Sequence, residues 1–222
     1  MTRRRAALPA VAASGLPPAL KLYLASAACR ARRFSFGPAL KKDQAAFAAA
    51  VERLVAEAAG ALGCSGEEAL FRTGFGANNM APHRLEAALA ELLAVLFLRA
   101  AGFSGISLIA PGPGRTADIA AVKDGLKWAA EVRCLAAGGV FGAELLGGKF
   151  ESKLPQARNA VKKYGFDRGL VVLVREPWNF KAFAADRRLA ELAREAYALA
   201  ERPGSARLCL LHAEGSGVYP AW

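Results

Sequence analysis

Apolar and polar positions change period along this chain, and each change marks an element. Residues 1–42 carry no sustained periodicity and are broken by Pro9, Pro17 and Pro18. They read as an irregular basic segment with a short helix around Ala19–Arg32. From Asp43 to Leu62 the spacing is helical: Phe47, Val51, Leu54, Val55 and Ala58 form one stripe, Asp43 can cap the start, and Gly63 ends it. Ser65 followed by Glu67 and Glu68 predicts another short helix, and Gly74–Asn79 reads as a loop and a boundary. From Pro82 the pattern is regular. A long helix is predicted from Pro82, in its first turn, to about Ala101, with Gly102 just past its end. Gly105–Ala110, Thr116–Val122, Leu126–Cys134, Gly169–Arg175 and Ala206–His212 read as strands, with helices near Pro155–Tyr164 and over Asp186–Glu201. The order α-β-β-β-α-β-α-β implies an α/β protein with a mixed sheet and helices on its faces. Residues 1–80 form a basic, Pro/Ala-rich helical region on this reading, and residues 81–222 the α/β core.

Asp124-Gly125, between two alternating runs, is the strongest hairpin signal in the chain. A two-residue loop there sets Lys123 opposite Leu126, Val122 opposite Lys127, Ala120 opposite Ala129, Asp118 opposite Glu131 and Thr116 opposite Arg133. Ile119, Ala121, Leu126, Trp128, Ala130 and Val132 then share the other face, which is apolar and suited to the core. Opposed Cβ atoms lie about 5 Å apart, so two facing carboxylates destabilise the sheet. A divalent cation between them relieves the repulsion, because Mg²⁺ takes carboxylate oxygens at about 2.1 Å.

Charge changes the picture further. The chain has 222 residues and a net charge of +11. Residues 1–42 hold Arg3, Arg4, Arg5, Lys21, Arg30, Arg32, Arg33, Lys41 and Lys42 and no acid. Such an arm favours nucleic-acid phosphates through counterion release; a solvated tail is the equal alternative. A hydrophobic content of 54% excludes wholesale disorder. No run of about 18 apolar residues predicts a membrane span. Cys29, Cys64, Cys134 and Cys209 are dispersed and only His83 and His212 accompany them, which argues against a structural zinc site and fits buried thiols in a reducing cytoplasm. Gly112-Pro113-Gly114 lacks the phosphate-cradling pattern of a P-loop, and no serine stands in a GxSxG context.

Asp118, then Glu131-Val132-Arg133 on the same hairpin, resembles the D…(D/E)xK signature of the PD-(D/E)XK nuclease superfamily. Glu91, with Gly102 and Phe103 after it, looks like the first-helix glutamate of that fold, and Lys153 with Gln156 resembles its Lys/Gln-bearing helix. The resemblance covers roughly residues 82–175, arguably to 212. It implies a restriction-endonuclease-like αβββαβ core with an N-terminal helical extension, and a metal-dependent phosphodiesterase acting on DNA. Asp118, Glu131 and the Val132 backbone carbonyl would hold one or two Mg²⁺ or Mn²⁺ ions, with Glu91 completing the site through water or a second metal. Ala117 replaces the usual proline and Arg133 the usual lysine. Arginine stays protonated but can bind two phosphate oxygens with its fork; alternatively, Lys149 or Lys153 reaches in and takes the lysine's place. Lys153, Arg158, Lys162 and Lys163 form a phosphate-facing ridge on this reading, with Gln156 as a further nucleic-acid contact; a solvated helix surface is the alternative.

Three other readings stand beside it. Glu131 can belong to an ordinary surface salt-bridge network with Arg133 or Lys127. The fold can be a decayed nuclease that binds nucleic acid without cleaving it. The Ala-rich N-terminal helices can instead form a homodimer or protein-partner interface.

Overall fold

The computed structural model describes residues 8–30, 33–109, 117–136, 138, 141–201, 203–213 and 215–222. Three short helices, α1 (Pro9–Ala13), α2 (Pro18–Ala28) and α3 (Gly37–Lys42), precede α4 (Gln44–Leu62), α5 (Gly66–Arg72) and α6 (Arg84–Ala100). The strands are β1 (Ser104–Leu108), β2 (Ile119–Lys123), β3 (Leu126–Leu135), β4 (Arg168–Arg175), β5 (Ala206–His212) and β6 (Gly215–Tyr219). Helix α7 (Ala143–Lys163) joins β3 to β4, and α8 (Arg187–Ala198) joins β4 to β5. The strands form one sheet in sequence order, parallel across β3–β4–β5 and antiparallel elsewhere. The protein is therefore mixed α/β, with a six-stranded mixed sheet flanked by helices.

Local signals explain the helix ends. Asp43 Oδ1 accepts the Ala46 N–H at 2.9 Å, and Ser65 Oγ accepts that of Glu68 at 3.1 Å. Gly63 ends α4 in the left-handed conformation, φ 65°. Both crossover helices lie on one side of the sheet, where Leu146, Phe150 and Leu154 of α7 and Ala193 and Ala196 of α8 pack on Val171, Leu173, Leu208 and Leu210. Helix α6 covers the other side, burying Leu85, Leu89 and Leu93 in a core shared with Ile119, Trp128, Ala130, Val132, Leu170 and Val172. Strand β4 is thus covered on both faces, which is why its sequence is a continuous apolar run.

Helix α2 falls where a short helix was expected over Ala19–Arg32, but the N-terminal segment is not the irregular arm expected: among its described residues Leu20, Tyr23, Leu24, Phe36 and Leu40 are buried, in the same core as α4, α6 and the sheet. Phe36 stacks on Phe47 and meets Trp178 edge-on. Leu20, Tyr23, Leu24 and Ala27 follow helical spacing within a stretch that the flanking prolines make look irregular. Arg3, Arg4, Arg5 and Arg32 lie outside the described residues, as do Thr116 and the Gly112-Pro113-Gly114 turn.

Three further differences have physical causes. Helix α7 begins at Ala143 rather than near Pro155, and carries Gly147, Gly148 and Pro155 inside it. Burial of Leu146, Phe150, Leu154 and Ala157 outweighs their low propensity, and a Cβ on Gly147 would lie 3.1 Å from the Ala196 carbonyl oxygen of α8. Pro82 precedes α6 instead of opening it, because His83 is the N-cap residue at φ 68°. Strand β6 was not expected from Gly-Ser-Gly-Val-Tyr; its Gly217 is required because a Cβ there would collide with the Leu189–Ala190 backbone of α8.

Because the N-terminal helices share the core, Phe36→Ala is expected to destabilise the whole protein by about 3–5 kcal/mol. Urea unfolding followed by tryptophan fluorescence checks this; an unchanged midpoint would mean that the segment folds separately from the sheet.

Candidate functional site

The hairpin that positions the site forms as its turn chemistry dictates. Asp124 (φ 53°) and Gly125 (φ 75°) are both left-handed, as a type I′ loop requires. The ladder then runs Lys123–Leu126, Val122–Lys127, Ala121–Trp128, Ala120–Ala129 and Ile119–Ala130. Ile119, Ala121, Trp128, Ala130 and Val132 enter the core on the α6 side as expected. Leu126, at the exposed hairpin tip, is 37% exposed and does not join them.

One residue before β2 the regular pairing slips. The Asp118 N–H donates to the Ala130 carbonyl at 2.9 Å, and Asp118 Oδ2 accepts the Val132 N–H at 2.7 Å. Strand β2 has ended by this point, so a side-chain oxygen takes the ladder position on the buried Val132 amide. The carboxylate is drawn to the backbone edge of β3 and does not simply stand across from Glu131 as the ideal register has it. Both acids are buried, Asp118 at 6% and Glu131 at 4% exposure.

Helix α7 supplies the third member. Lys153 Nζ donates to Glu131 Oε1 at 2.5 Å, with the two side chains 18% and 6% exposed. A lysine twenty-two positions downstream thus meets the glutamate, while Arg133, in the signature position, is exposed. Lys153 lies on the sheet-facing side of α7, close in helical phase to Phe150, Leu154 and Ala157. Lys149 and Gln156, four residues before and three after, flank it on one side. Arg158 and Lys162 do not join that ridge: Arg158 donates to the Glu201 carbonyl at 3.2 Å on the α8 side, and Lys162 is exposed one turn further along the same flank.

Glu91 is buried on α6, the helix that covers the opposite side of the sheet. Among the described residues, no three His, Cys, Asp or Glu side chains gather into a metal-ligating group, so Glu91 makes no three-carboxylate cluster with Asp118 and Glu131. Arg30 and Arg33 are exposed near the end of α2.

A second buried acid was missed from sequence. Glu86 is fully buried on α6, and its Oε1 accepts the Ser35 N–H at 3.1 Å and the Ser35 hydroxyl at 2.9 Å. The signal was present, since Leu89 and Leu93, three and seven residues on, share its stripe. Burial, with Glu86 nearby, raises the Tyr23 phenol above its ordinary range. Burial, again with Glu86, pushes the Cys134 thiol up to about 12.

No family model, curated protein or solved structure matches the chain, so function rests on the geometry of the site.

The hydrogen bond to Val132 separates two variants. Asp118→Asn keeps an oxygen acceptor and is expected to unfold at the wild-type urea midpoint. Asp118→Ala leaves the buried amide without that acceptor and is expected to cost about 1–3 kcal/mol. Equal midpoints for all three proteins would remove the structural role assigned to this carboxylate.

Proposed function

We propose that the chain is a divalent-metal-dependent nuclease acting on DNA, with a restriction-endonuclease-like core. One observation carries this reading: two buried acids at the end of the β2–β3 ladder lie with a lysine from the next helix in contact with one of them. The topology supports it. A helix precedes three antiparallel strands, and the third continues through a crossover helix into a parallel fourth, the order expected of a PD-(D/E)XK core.

The donor set fits a hard divalent ion. Asp118 and Glu131 offer carboxylate oxygens. The Val132 N–H already faces Asp118, and a strand residue's N–H and C=O point to the same side, so its carbonyl lies along that edge too. When bound, Mg²⁺ or Mn²⁺ would lower the pKa of a coordinated water and neutralise charge developing at phosphorus. The protein's own groups do the rest. Asp118 and Glu131 hold the ion. Lys153, kept in place by Glu131, orients the attacking water or donates to a phosphate oxygen, which is the task the signature lysine would have had. Arg133 remains protonated and contributes phosphate binding by its fork, not proton transfer. Helix α7 packs on β3–β5 and α8 on β5–β6, and Ala160 of α7 packs with Ala117 and Ala129 beside the acids.

Supercoiled plasmid DNA with Mg²⁺ tests the proposal. Cleavage is expected to fall at least 100-fold in Asp118→Asn, Glu131→Gln and Lys153→Ala, and to vanish in EDTA. Undiminished cleavage by the first two variants would remove the site assignment. The Lys153–Glu131 ion pair also favours a second reading, because an ammonium already satisfies one carboxylate oxygen. That reading is a nucleic-acid-binding protein without catalysis. It is distinguished by DNA binding that is indifferent to Mg²⁺, falls steeply with salt and brings no cleavage.

A further inference from the structure

Beyond the acid pair, a cleft of ≈ 560 Å³ opens at the C-terminal end of β3, between the starts of α6 and α7. His83, Arg84, Arg133 and Lys149 line it, and among the described residues none that lines it is acidic. Arg133 and Lys149 are exposed, while Arg84 also donates to the Gly74 carbonyl at 2.7 Å. The walls between these cations are apolar, including Ala87, Cys134 and Leu145.

The cleft is in register with the proposed catalytic groups. Glu131 and Arg133 alternate onto the same side of β3, about 6.6 Å apart along the strand. Lys153 and Lys149 are one turn apart on α7, about 6 Å along its axis. Because α7 returns antiparallel to β3, Lys149 falls beside Arg133 as Lys153 falls beside Glu131. Two rungs result. The first pairs a carboxylate with an ammonium; the second sets two cations on the lining of one cleft.

A nucleic-acid strand in a duplex advances about 3.4 Å of axis per nucleotide, so the separation of the rungs amounts to about two nucleotides of rise. We infer that the cleft formed by Arg133, Lys149 and Arg84 binds a DNA backbone phosphate within two nucleotides of the one that is cleaved. Two exposed cations that line one cleft are stabilised by a phosphate, whose oxygens accept both the arginine fork and the ammonium. Phosphate contacts of this kind set register and carry no base specificity. The location of the scissile phosphate rests on the nuclease reading; the binding of a phosphate in the cleft does not.

The test measures binding of a labelled 20-base-pair DNA duplex by fluorescence anisotropy in EDTA, across a salt series. Arg133→Ala/Lys149→Ala is expected to weaken binding at least 10-fold at 50 mM salt and to lessen the slope of log K against log salt by about 0.9, one phosphate's share. Arg133→Lys/Lys149→Arg restores most of the affinity. Arg188→Ala/Arg194→Ala removes equal charge from exposed positions on α8 and leaves binding near wild type. Unchanged affinity in the cleft variant, an equal loss in the α8 variant, or no duplex binding by the wild-type protein at 50 mM salt each overturns the inference. Cleft-dependent binding without cleavage by the wild-type protein would sink the nuclease reading alone. Asp118-dependent cleavage with wild-type binding in the cleft variant would sink the cleft alone.

Discussion

The left-handed Asp124-Gly125 reversal constrains everything that the site requires. A two-residue loop admits one register for β2 and β3, and side chains alternate strictly along each strand. With that register, Trp128, Ala130 and Val132 enter the layer beneath α6, and Glu131 faces Lys153 of α7. A slip of one residue would exchange the two sets, driving Glu131 into the apolar layer and Trp128 towards α7. The same register ends the ladder at Ile119, so the Val132 amide is left for the Asp118 carboxylate. Turn chemistry, core packing and the position of both acids are therefore one constraint seen at three scales.

Buried acids also tie distant segments together. Glu131 links β3 to α7 through Lys153, and Glu86 links α6 to the segment before α3 through Ser35. Removing one partner of a buried ion pair leaves a charge that the interior solvates poorly, so such ties are expensive to break even where they add little net stability. Glu86 lies on a helix that is otherwise apolar over most of its surface, and its bond to Ser35 anchors the N-terminal layer over the same helix that covers the sheet.

The distribution of positive charge differs from what the chain order suggests. The excess is concentrated in residues 1–42, yet the cations that converge at the cleft come from the start of α6, the end of β3 and the first half of α7. Each is unremarkable in its own stretch of sequence. Lys149 stands just after two glycines, ahead of the helix predicted near Pro155, and Arg133 reads as a substitute for a lysine. Their convergence depends on α7 starting at Ala143, because only a helix of that length brings Lys149 back over the end of β3.

Sequence alone determined the elements whose information is local. The α4 stripe with its Asp43 cap and Gly63 stop, the hairpin register, the apolar face of β3 and the continuous run of β4 all follow from residue periodicity and turn chemistry, which act over a few positions. The facing positions of Asp118 and Glu131 were legible for the same reason, while Lys153 and Glu91 came from the resemblance to a family signature. Tertiary structure decided what depends on contacts between distant segments. Burial against α8 and the sheet carried α7 through Gly147, Gly148 and Pro155, and the close approach of α8 gave Gly217 its place in a strand. Packing on Phe47 and Trp178 turned the proline-broken N-terminus into core helices, and the end of β2 drew Asp118 to the Val132 amide. In each case the free energy comes from neighbours far away in the chain, and a local pattern does not encode them.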